Sequence, residues 1–329
     1  MGNVGNNKCY VKLLALVLVF VFLFFAALLG LELWEAKNNK FPETDLEKAY
    51  FTYNGNKYVI RDNLETFLLL GLDKFEGKVE KDSYNNNQQA DFIMLLVFDN
   101  DAEKCTAINI NRDTMADVNV LGVNGNKIDT VKQQIALAHT YGNGRNVSCR
   151  NTADAVSSVL NGVKIDHYAS LKMDAVAVYN DLLGGVEVTV EEDFSSVDES
   201  LVKGETVNLK GEQALHYIRT RYGLEDSSNG TRMKRQRQYI EALYKKTNQI
   251  AQTNKDFIAE ATLKLSDYLI SDRSVTQLQE LAQKINEYEF SQAEEFKGET
   301  KKGEEFVEFY PDQDLATKMV IDLFYQQEE

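Results

Sequence analysis

Short apolar runs separated by turn residues predict the first strands of the chain. Thr66–Leu72 and Phe92–Phe98 are almost continuously apolar, and Thr106–Ile110 alternates isoleucine with polar residues. Runs of this length and composition are typical of strands. Asn100-Asp101 lies between the last two runs and favours a hairpin there. We therefore predict three core strands, of which the second and third are paired.

Helical periodicity follows these strands. Val131, Ile135 and Ala138 recur at three- and four-residue steps, which predicts a helix over Ile128–Tyr141. Strands interleaved with helices predict an α/β fold in which helices cover both faces of a mixed sheet. The remaining predicted elements are helices at Thr152–Leu160, Asp174–Leu183, Gly211–Arg219 and Thr231–Lys246 and strands at His167–Leu171 and Val186–Val190.

The character of the sequence changes near Asn248. Residues 248–290 are typical of polar amphipathic helix, residues 291–310 of a strand pair, and Asp312–Tyr325 of a closing helix. We assign no chemistry to this part of the chain. The predicted organisation is a polar spacer at 35–63 with a helix around Glu43–Tyr50, a main domain at 64–247, and a helical extension with a short strand pair at 248–329.

An uncharged run, Leu13–Leu31, precedes the spacer. As a helix it spans roughly 28 Å, close to the hydrocarbon thickness of a bilayer. A cleaved signal peptide is the alternative, but its apolar core is usually about 7–15 residues long. We predict a transmembrane anchor at 13–34. Lysines in the tail 1–12 place the N-terminus in the cytoplasm and the main domain outside the cell.

Composition narrows the classes of partner. The chain has 36 Lys and Arg against 51 Asp and Glu, a net charge of −15, which argues against binding free nucleic acid. The three cysteines, Cys9, Cys105 and Cys149, lie far apart and show no zinc-site spacing. We expect Cys105 and Cys149 to be buried thiols rather than a disulfide.

Two aspartates lie at predicted strand boundaries. Asp73 ends the first strand and Asp91 begins the second. Side chains there project into the crevice beside a sheet, where two carboxylates supply half of a Mg²⁺ site and substrate phosphate with water supplies the rest. Each aspartate alone is better explained as an ordinary strand end. Only the neighbouring arginines make the metal site persuasive.

The sequence Arg112-Asp113-Thr114 directly follows the third predicted strand. A guanidinium group holds phosphate oxygens bidentately, so Arg112 is a candidate phosphate ligand. Asp113 would orient Arg112 or help to hold the metal. The alternative is an ordinary surface Arg–Asp pair, which contributes little.

A second group of basic residues lies further along the chain. In a helix, Arg232, Arg235 and Gln236 share one face and would clamp an anion. The alternative is a solvated basic face. Arg219 and Arg221 are two residues apart and face one site only if their helix ends there.

Lys127-Ile128-Asp129 opens the predicted helix after the glycine-rich loop 122–126. The N-terminus of that helix would attract an anion, which makes Lys127 a further phosphate candidate. A capped surface helix explains the same residues equally well. No Walker loop and no Ser-His-Asp set is readable in the sequence.

Together these motifs resemble the LytR-CpsA-Psr family of cell-envelope glycopolymer transferases over roughly residues 64–246. The motifs that carry the resemblance are, in order, Gly71-x-Asp73, Ala90-Asp91, Arg112-Asp113-Thr114, Lys127-Ile128-Asp129, Asp166-His167-Tyr168, Leu183-Gly184-Gly185-Val186, Leu209-x-Gly211-x-x-Ala214-Leu215-x-Tyr217-x-Arg219-x-Arg221 and Arg232-x-x-Arg235-Gln236.

The resemblance implies a membrane-anchored phosphotransferase that uses Mg²⁺. Such an enzyme moves a glycopolymer, teichoic-acid-like or capsular, from a polyprenyl-pyrophosphate carrier to peptidoglycan. The implied fold is a three-layer α/β/α sandwich preceded by one N-terminal transmembrane helix, with the lipid tail in an apolar pocket. A hydrolase that releases the glycan phosphate to water and a non-catalytic, lipid-binding envelope regulator are the alternatives.

Residue roles follow by matching position. Asp73 and Asp91 would bind the metal, and Asp91 or Asp113 would act as the base beside Arg112. The implied pyrophosphate ligands are Arg112, Arg219, Arg221, Arg232 and Gln236, to which the helical arguments above add Arg235 and Lys127.

Three positions depart from the usual pattern of the family. Gln88-Gln89-Ala90 stands where Arg or Ser usually lies beside the second metal-binding acid, which removes an expected cation. Asn111 replaces Pro, and Asp129 replaces Asn. The first departure affects the expected affinity for substrate more than the reaction class.

Overall fold

The computed structural model describes residues 50–74, 84–220, 257–292, 296–303 and 307–328, together with scattered positions between 235 and 254. The predicted tail, the anchor at 13–34 and nearly all of the predicted Glu43–Tyr50 helix lie outside these residues. Within them, no helix has the length and apolar character needed to cross a bilayer.

Strands predominate in the first half of the chain and recur at its C-terminal end. The strands are β1 (Tyr50–Tyr53), β2 (Asn56–Ile60), β3 (Leu64–Lys74), β4 (Gln88–Asp99), β5 (Lys104–Asn109), β6 (Met115–Leu121), β7 (Lys127–Gln134), β8 (His167–Lys172), β9 (Val186–Thr189), β10 (Thr206–Leu209), β11 (Leu269–Ser271), β12 (Glu289–Gln292), β13 (Gly298–Lys302), β14 (Val307–Pro311) and β15 (Tyr325–Gln327). The helices are α1 (Asn146–Val159), α2 (Ala175–Leu182), α3 (Glu212–Arg219), α4 (Phe257–Leu265), α5 (Val275–Glu287) and α6 (Gln313–Phe324), with 3₁₀ turns at Ile135–Thr140 and Ser266–Tyr268.

A six-stranded sheet of order β11-β8-β3-β4-β5-β12 forms the centre of the fold. Strand β4 pairs antiparallel with β3 and β5, whereas β12 pairs parallel with β5. The predicted α/β fold with a mixed sheet and the predicted hairpin at Asn100-Asp101 are therefore confirmed. Residues 93–98 of β4 are all buried, so both faces of the sheet are covered here. Helices α1 and α6 pack on one face.

The chain divides into two compact units. We call one the sheet unit (mainly Glu32–Ser170 and Glu287–Glu329) and the other the helical unit (mainly Leu171–Leu269 and Ser274–Asn286). This division does not follow the predicted boundary between residues 247 and 248, because β12 is an edge strand of the central sheet. The predicted spacer also differs, since β1 and β2 form a small sheet with the C-terminal β15.

The helical unit has its own apolar core. Helices α2, α3 and α4 and the β9–β10 hairpin supply it, with Tyr179 and Tyr217 among its largest side chains. Helix α2 ends at Gly184-Gly185 as predicted, with φ of 71° and 100° at the two glycines. A Cβ on Gly185 would lie 2.5 Å from the Asn208 side-chain oxygen, and the positive φ strains any larger residue there.

One predicted helix is wrong, and another is confirmed only in part. The segment Ile128–Tyr141 forms β7, paired antiparallel with β6, and then the 3₁₀ turn. Its apolar spacing matches a helix only because the buried turn Ile135–Thr140 follows an exposed strand directly. The predicted helix at 248–290 contains α4 and α5, but β11 separates them. Strand pairing is a long-range contact, so local periodicity does not reveal it.

The C-terminal predictions are confirmed. Strands β13 and β14 form the predicted pair. Helix α6 begins after Asp312, whose carboxylate accepts hydrogen bonds from the backbone N–H groups of Asp314 and Leu315.

Candidate active site

A β-bulge sets the position of Asp91. Gly71 pairs with Phe92 and Leu72 with Ala90, so Asp91 is the extra residue on β4. A Cβ on Gly71 would lie 2.9 Å from the Phe92 Cβ, and glycine is therefore required at this close approach. Asp73 pairs with Gln89, two residues before Asp91. The two predicted metal-binding acids thus lie on neighbouring strands beside one irregularity.

Arg112 lies between two carboxylates in this region. Its Nη1 donates to Asp91 Oδ1, and its Nη2 donates to Gln89 Oε1 at 3.4 Å. Its Nε lies 3.4 Å from Asp113 Oδ1. The Arg112, Asp91 and Asp113 side chains are 18%, 20% and 30% exposed. The structure therefore brings together the three residues predicted to be catalytic, in a place that solvent still reaches.

A turn presents Arg112 and Asp113. The Asn111 side chain accepts from the Asp113 N–H at 3.0 Å, and its carbonyl accepts from the Thr114 N–H at 3.0 Å. An asparagine side chain that bonds the backbone two residues on stabilises such a turn. Asn111 thereby supplies by hydrogen bonding the local rigidity that a proline ring would supply at the same position.

Gln134 is a site residue that the sequence did not reveal. Its Nε2 donates to Asp113 Oδ1 at 2.8 Å, and the residue is 4% exposed. It ends β7, a strand that the sequence predicted as helix, and it lies 21 residues from Asp113. Only the pairing of β6 with β7 brings it beside the turn, so no local signal identifies it.

Arg235 is buried in the helical unit and does not present its charge to an open site. Its Nη1 forms an ion pair with Glu192, its Nη2 donates to the Thr220 carbonyl, and its Nε donates to the Tyr217 carbonyl at 3.2 Å. The guanidinium carbon lies 4.8 Å from the centre of the Phe194 ring. The residue is 3% exposed. The expectation that Arg235 binds pyrophosphate is corrected, because each of its nitrogens already has an internal partner.

The other basic candidates are less fully described. Arg219 is the last residue of α3 and is partly exposed. Arg221, Arg232 and Gln236 lie outside the described residues.

A model of the LytR-cpsA-psr family matches residues 35–320 of the chain. The protein belongs to the LytR-CpsA-Psr family.

Named relatives agree with this membership. A protein of Enterococcus faecalis, polyisoprenyl-teichoic acid–peptidoglycan teichoic acid transferase TagU, is 26% identical over 82% of this chain and 82% of its own length. B. subtilis TagV has a TM-score of 0.51 and 21% identity, covering 80% of this chain and 98% of TagV. A structure of TagT bound to LIIa-WTA has a TM-score of 0.51 and 19% identity, covering 80% of this chain and 90% of TagT. The two solved structures show the shared fold.

Lys127 occupies a different place from the one predicted. It begins β7, where it is exposed, and pairs with Leu121, whereas Met115 pairs with Gln134 at the other end of the hairpin. At about 3.4 Å per residue, Lys127 lies roughly 20 Å along the hairpin from Met115 and the adjoining Arg112 turn. The predicted helix N-terminus at Lys127 is wrong, and with it the structural argument for an anion site there.

The acids of the site fit a partial shell for a hard cation. Asp73 and Asp91 offer only oxygen donors, which Mg²⁺ prefers. In the part of the chain that the structure describes, no three His, Cys, Asp or Glu side chains are grouped to hold a metal by themselves. A cation held by these acids would therefore take its remaining ligands from substrate and water.

Two cysteines and one histidine of the described residues have interior or structural positions. Cys105 and Cys149 are free and buried, as predicted, and burial raises the pKa of each thiol to about 12. They are therefore protonated at neutral pH. His167 lies 3.5 Å from Asp272 and contacts Arg273, so its ring takes part in structural contacts.

Proposed function

We propose that the protein is a Mg²⁺-dependent phosphotransferase that moves a glycopolymer from a polyprenyl-pyrophosphate carrier to peptidoglycan. Membership of the LytR-CpsA-Psr family and the name of the Enterococcus faecalis relative support the transferase class. The observation that carries the proposal is Arg112, a partly exposed guanidinium group held between Asp91 and Asp113.

In the proposed reaction, an acceptor hydroxyl of peptidoglycan attacks the phosphorus on the glycan side of the pyrophosphate. The bond from that phosphorus to the bridging oxygen breaks. The products are a phosphodiester between glycan and peptidoglycan and a polyprenyl phosphate. The hydroxyl proton passes to a carboxylate.

Asp113 is the better candidate for the base. Asp91 is already engaged by Arg112. Asp113 Oδ1 is engaged by Gln134, but its Oδ2 makes no hydrogen bond with any residue that the structure describes. That oxygen is therefore available to accept the proton of an incoming hydroxyl.

Arg112 would exchange one anion for another when substrate binds. A planar guanidinium group binds phosphate oxygens bidentately, so pyrophosphate competes with Asp91 and Asp113 for the same donors. Asp73 and Asp91 would hold Mg²⁺, which supplies positive charge beside the phosphates. We also propose that Arg219, Arg221, Arg232 and Gln236 contribute to pyrophosphate binding, and that the anchor at 13–34 holds the domain on the outer face of the membrane.

The test is a transfer assay with the full-length protein in vesicles, a synthetic polyprenyl-pyrophosphate glycan, peptidoglycan, and either Mg²⁺ or a chelator. We expect glycan attached to peptidoglycan, with one polyprenyl phosphate released for each glycan transferred, and loss of both products with the chelator. Glycan phosphate formed equally without peptidoglycan would indicate a hydrolase. Retention of the lipid without turnover would indicate a non-catalytic binding protein.

A further inference from the structure

Gln134 makes two hydrogen bonds through one buried amide nitrogen. Its Nε2 donates to Asp113 Oδ1 at 2.8 Å and to the Val307 carbonyl at 2.6 Å. Its Oε1 is buried and has no partner within the described ranges. A buried acceptor without a partner costs stability. The two hydrogen bonds of Nε2 therefore explain why a glutamine occupies this buried position.

The second bond links the site to the C-terminal hairpin, β13 and β14. Strand β14 also contacts the Arg112 turn through its backbone. The Phe309 N–H donates to the Asp113 carbonyl at 2.8 Å, and Thr114 forms a parallel bridge with Phe309. The Phe309 side chain is 8% exposed and belongs to the core of the sheet unit. The backbone of Asp113 is thus held by β14, and its side chain by Gln134.

We infer that Gln134 is a positioning residue for Asp113 and that the C-terminal hairpin is the support on which the Arg112 turn rests. This inference deepens the proposed function and rests on it, since it concerns the residue proposed as base. Gln134 fixes Oδ1 and so leaves Oδ2 as the oxygen available to the acceptor. The same Oδ1 lies 3.4 Å from Arg112 Nε, which makes no hydrogen bond with any residue that the structure describes.

A matched pair of variants tests the inference. Gln134→Met removes both hydrogen bonds while keeping a side chain of similar length. Gln133→Met is the control, because Gln133 is the neighbour on the same strand and donates instead to Tyr141 Oη at 3.2 Å. Misplacing a reacting group costs up to about 100-fold in rate, so we expect Gln134→Met to lower kcat roughly 10- to 100-fold. We expect an unchanged KM for the lipid-linked glycan, since binding does not depend on the base.

Gln133→Met should keep the wild-type kcat. The inference is overturned if Gln134→Met also keeps it. Equal losses of kcat in the two variants would overturn it too, because they would reflect general destabilisation.

Hydrogen–deuterium exchange provides a readout that does not require activity. In Gln134→Met, and not in Gln133→Met, the amides of Phe309 and Thr114 should exchange faster than in the wild type. Unchanged exchange at both amides would contradict the structural link. If the wild type fails to transfer glycan while Gln134→Met still shows faster exchange, the proposed function fails and the support by the hairpin stands.

Discussion

Two arginines, each paired with a glutamate or aspartate, lie in different settings in this molecule. In the sheet unit, Arg112 is 18% exposed and contacts Asp91 and Asp113 at the end of a strand. In the helical unit, Arg235 is 3% exposed and its partners are Glu192 and two backbone carbonyls. A partly exposed pair can exchange its carboxylate for a phosphate at little cost. A buried pair cannot, because separating it leaves an uncompensated charge in the interior.

The comparison distinguishes Arg112, a candidate binding residue, from Arg235, a scaffold residue of the same type. Arg235 holds the Thr220 carbonyl directly after α3, where Arg219 ends the helix. Its role is therefore to fix the segment that carries a candidate ligand. From charge and spacing alone, Arg112 and Arg235 are both predicted as phosphate ligands. Their different burial in the structure distinguishes them.

The largest expected effect comes from removing the buried arginine. Arg235→Met leaves Glu192 buried without its partner, which costs about 3–5 kcal/mol of unfolding free energy. Chemical denaturation of the full-length protein measures this loss. Arg112→Met is the counterpart and should change stability by less than about 1 kcal/mol, since its pair is partly exposed. Equal losses of unfolding free energy in the two variants would contradict the distinction between the buried pair and the partly exposed pair.

Gly71→Ala should lower the free energy of unfolding by a smaller amount. It disturbs the partly exposed Arg112–Asp91 pair without removing either charge. The added methyl group would meet the Phe92 Cβ at 2.9 Å, and overpacking of this kind costs about 1–3 kcal/mol. Because Asp91 is the residue displaced by the bulge, transfer activity should fall further than stability alone explains. Denaturation and initial transfer rates, measured on the same preparation below its melting temperature, check this. Full activity would show that the bulge does not set the position of Asp91.

The smallest effect is expected from Asn111→Ala, which removes one side-chain hydrogen bond from the turn. The loss should be about 0.5–1 kcal/mol, the net contribution of one such bond. Asn143→Ala is a matched control, because Asn143 accepts from the Arg145 N–H in the same way at 2.8 Å. Both variants should lose similar stability in a thermal melt, and only Asn111→Ala should lose transfer activity. Loss of activity in both would remove the special role of the Arg112 turn.

The sequence predicts the parts of the site that local signals encode. Asp91 and Arg112 adjoin apolar runs that become β4 and β5, and antiparallel pairing of those strands brings the two residues together. Gln134 and Glu192 escape prediction because each reaches its partner through a contact distant in sequence. The prediction of a helix N-terminus at Lys127 fails for the same reason, because the segment pairs with β6 and is a strand. Periodicity predicts which face of a helix or strand is apolar. It does not predict which groups the polar side chains contact.

The most direct test of the account is equilibrium binding of a short-chain polyprenyl pyrophosphate, measured by calorimetry with the full-length protein in detergent and Mg²⁺. Arg61→Met is the matched control for Arg112→Met, because Arg61 pairs with Asp99, eight residues from Asp91 on β4 and so roughly 25 Å away. A charge-assisted hydrogen bond contributes about 1.5–3 kcal/mol, so Arg112→Met should weaken binding about 10- to 100-fold. Arg61→Met should bind as the wild type does. Equal affinity in the wild type and Arg112→Met would contradict the claim that Arg112 receives the pyrophosphate.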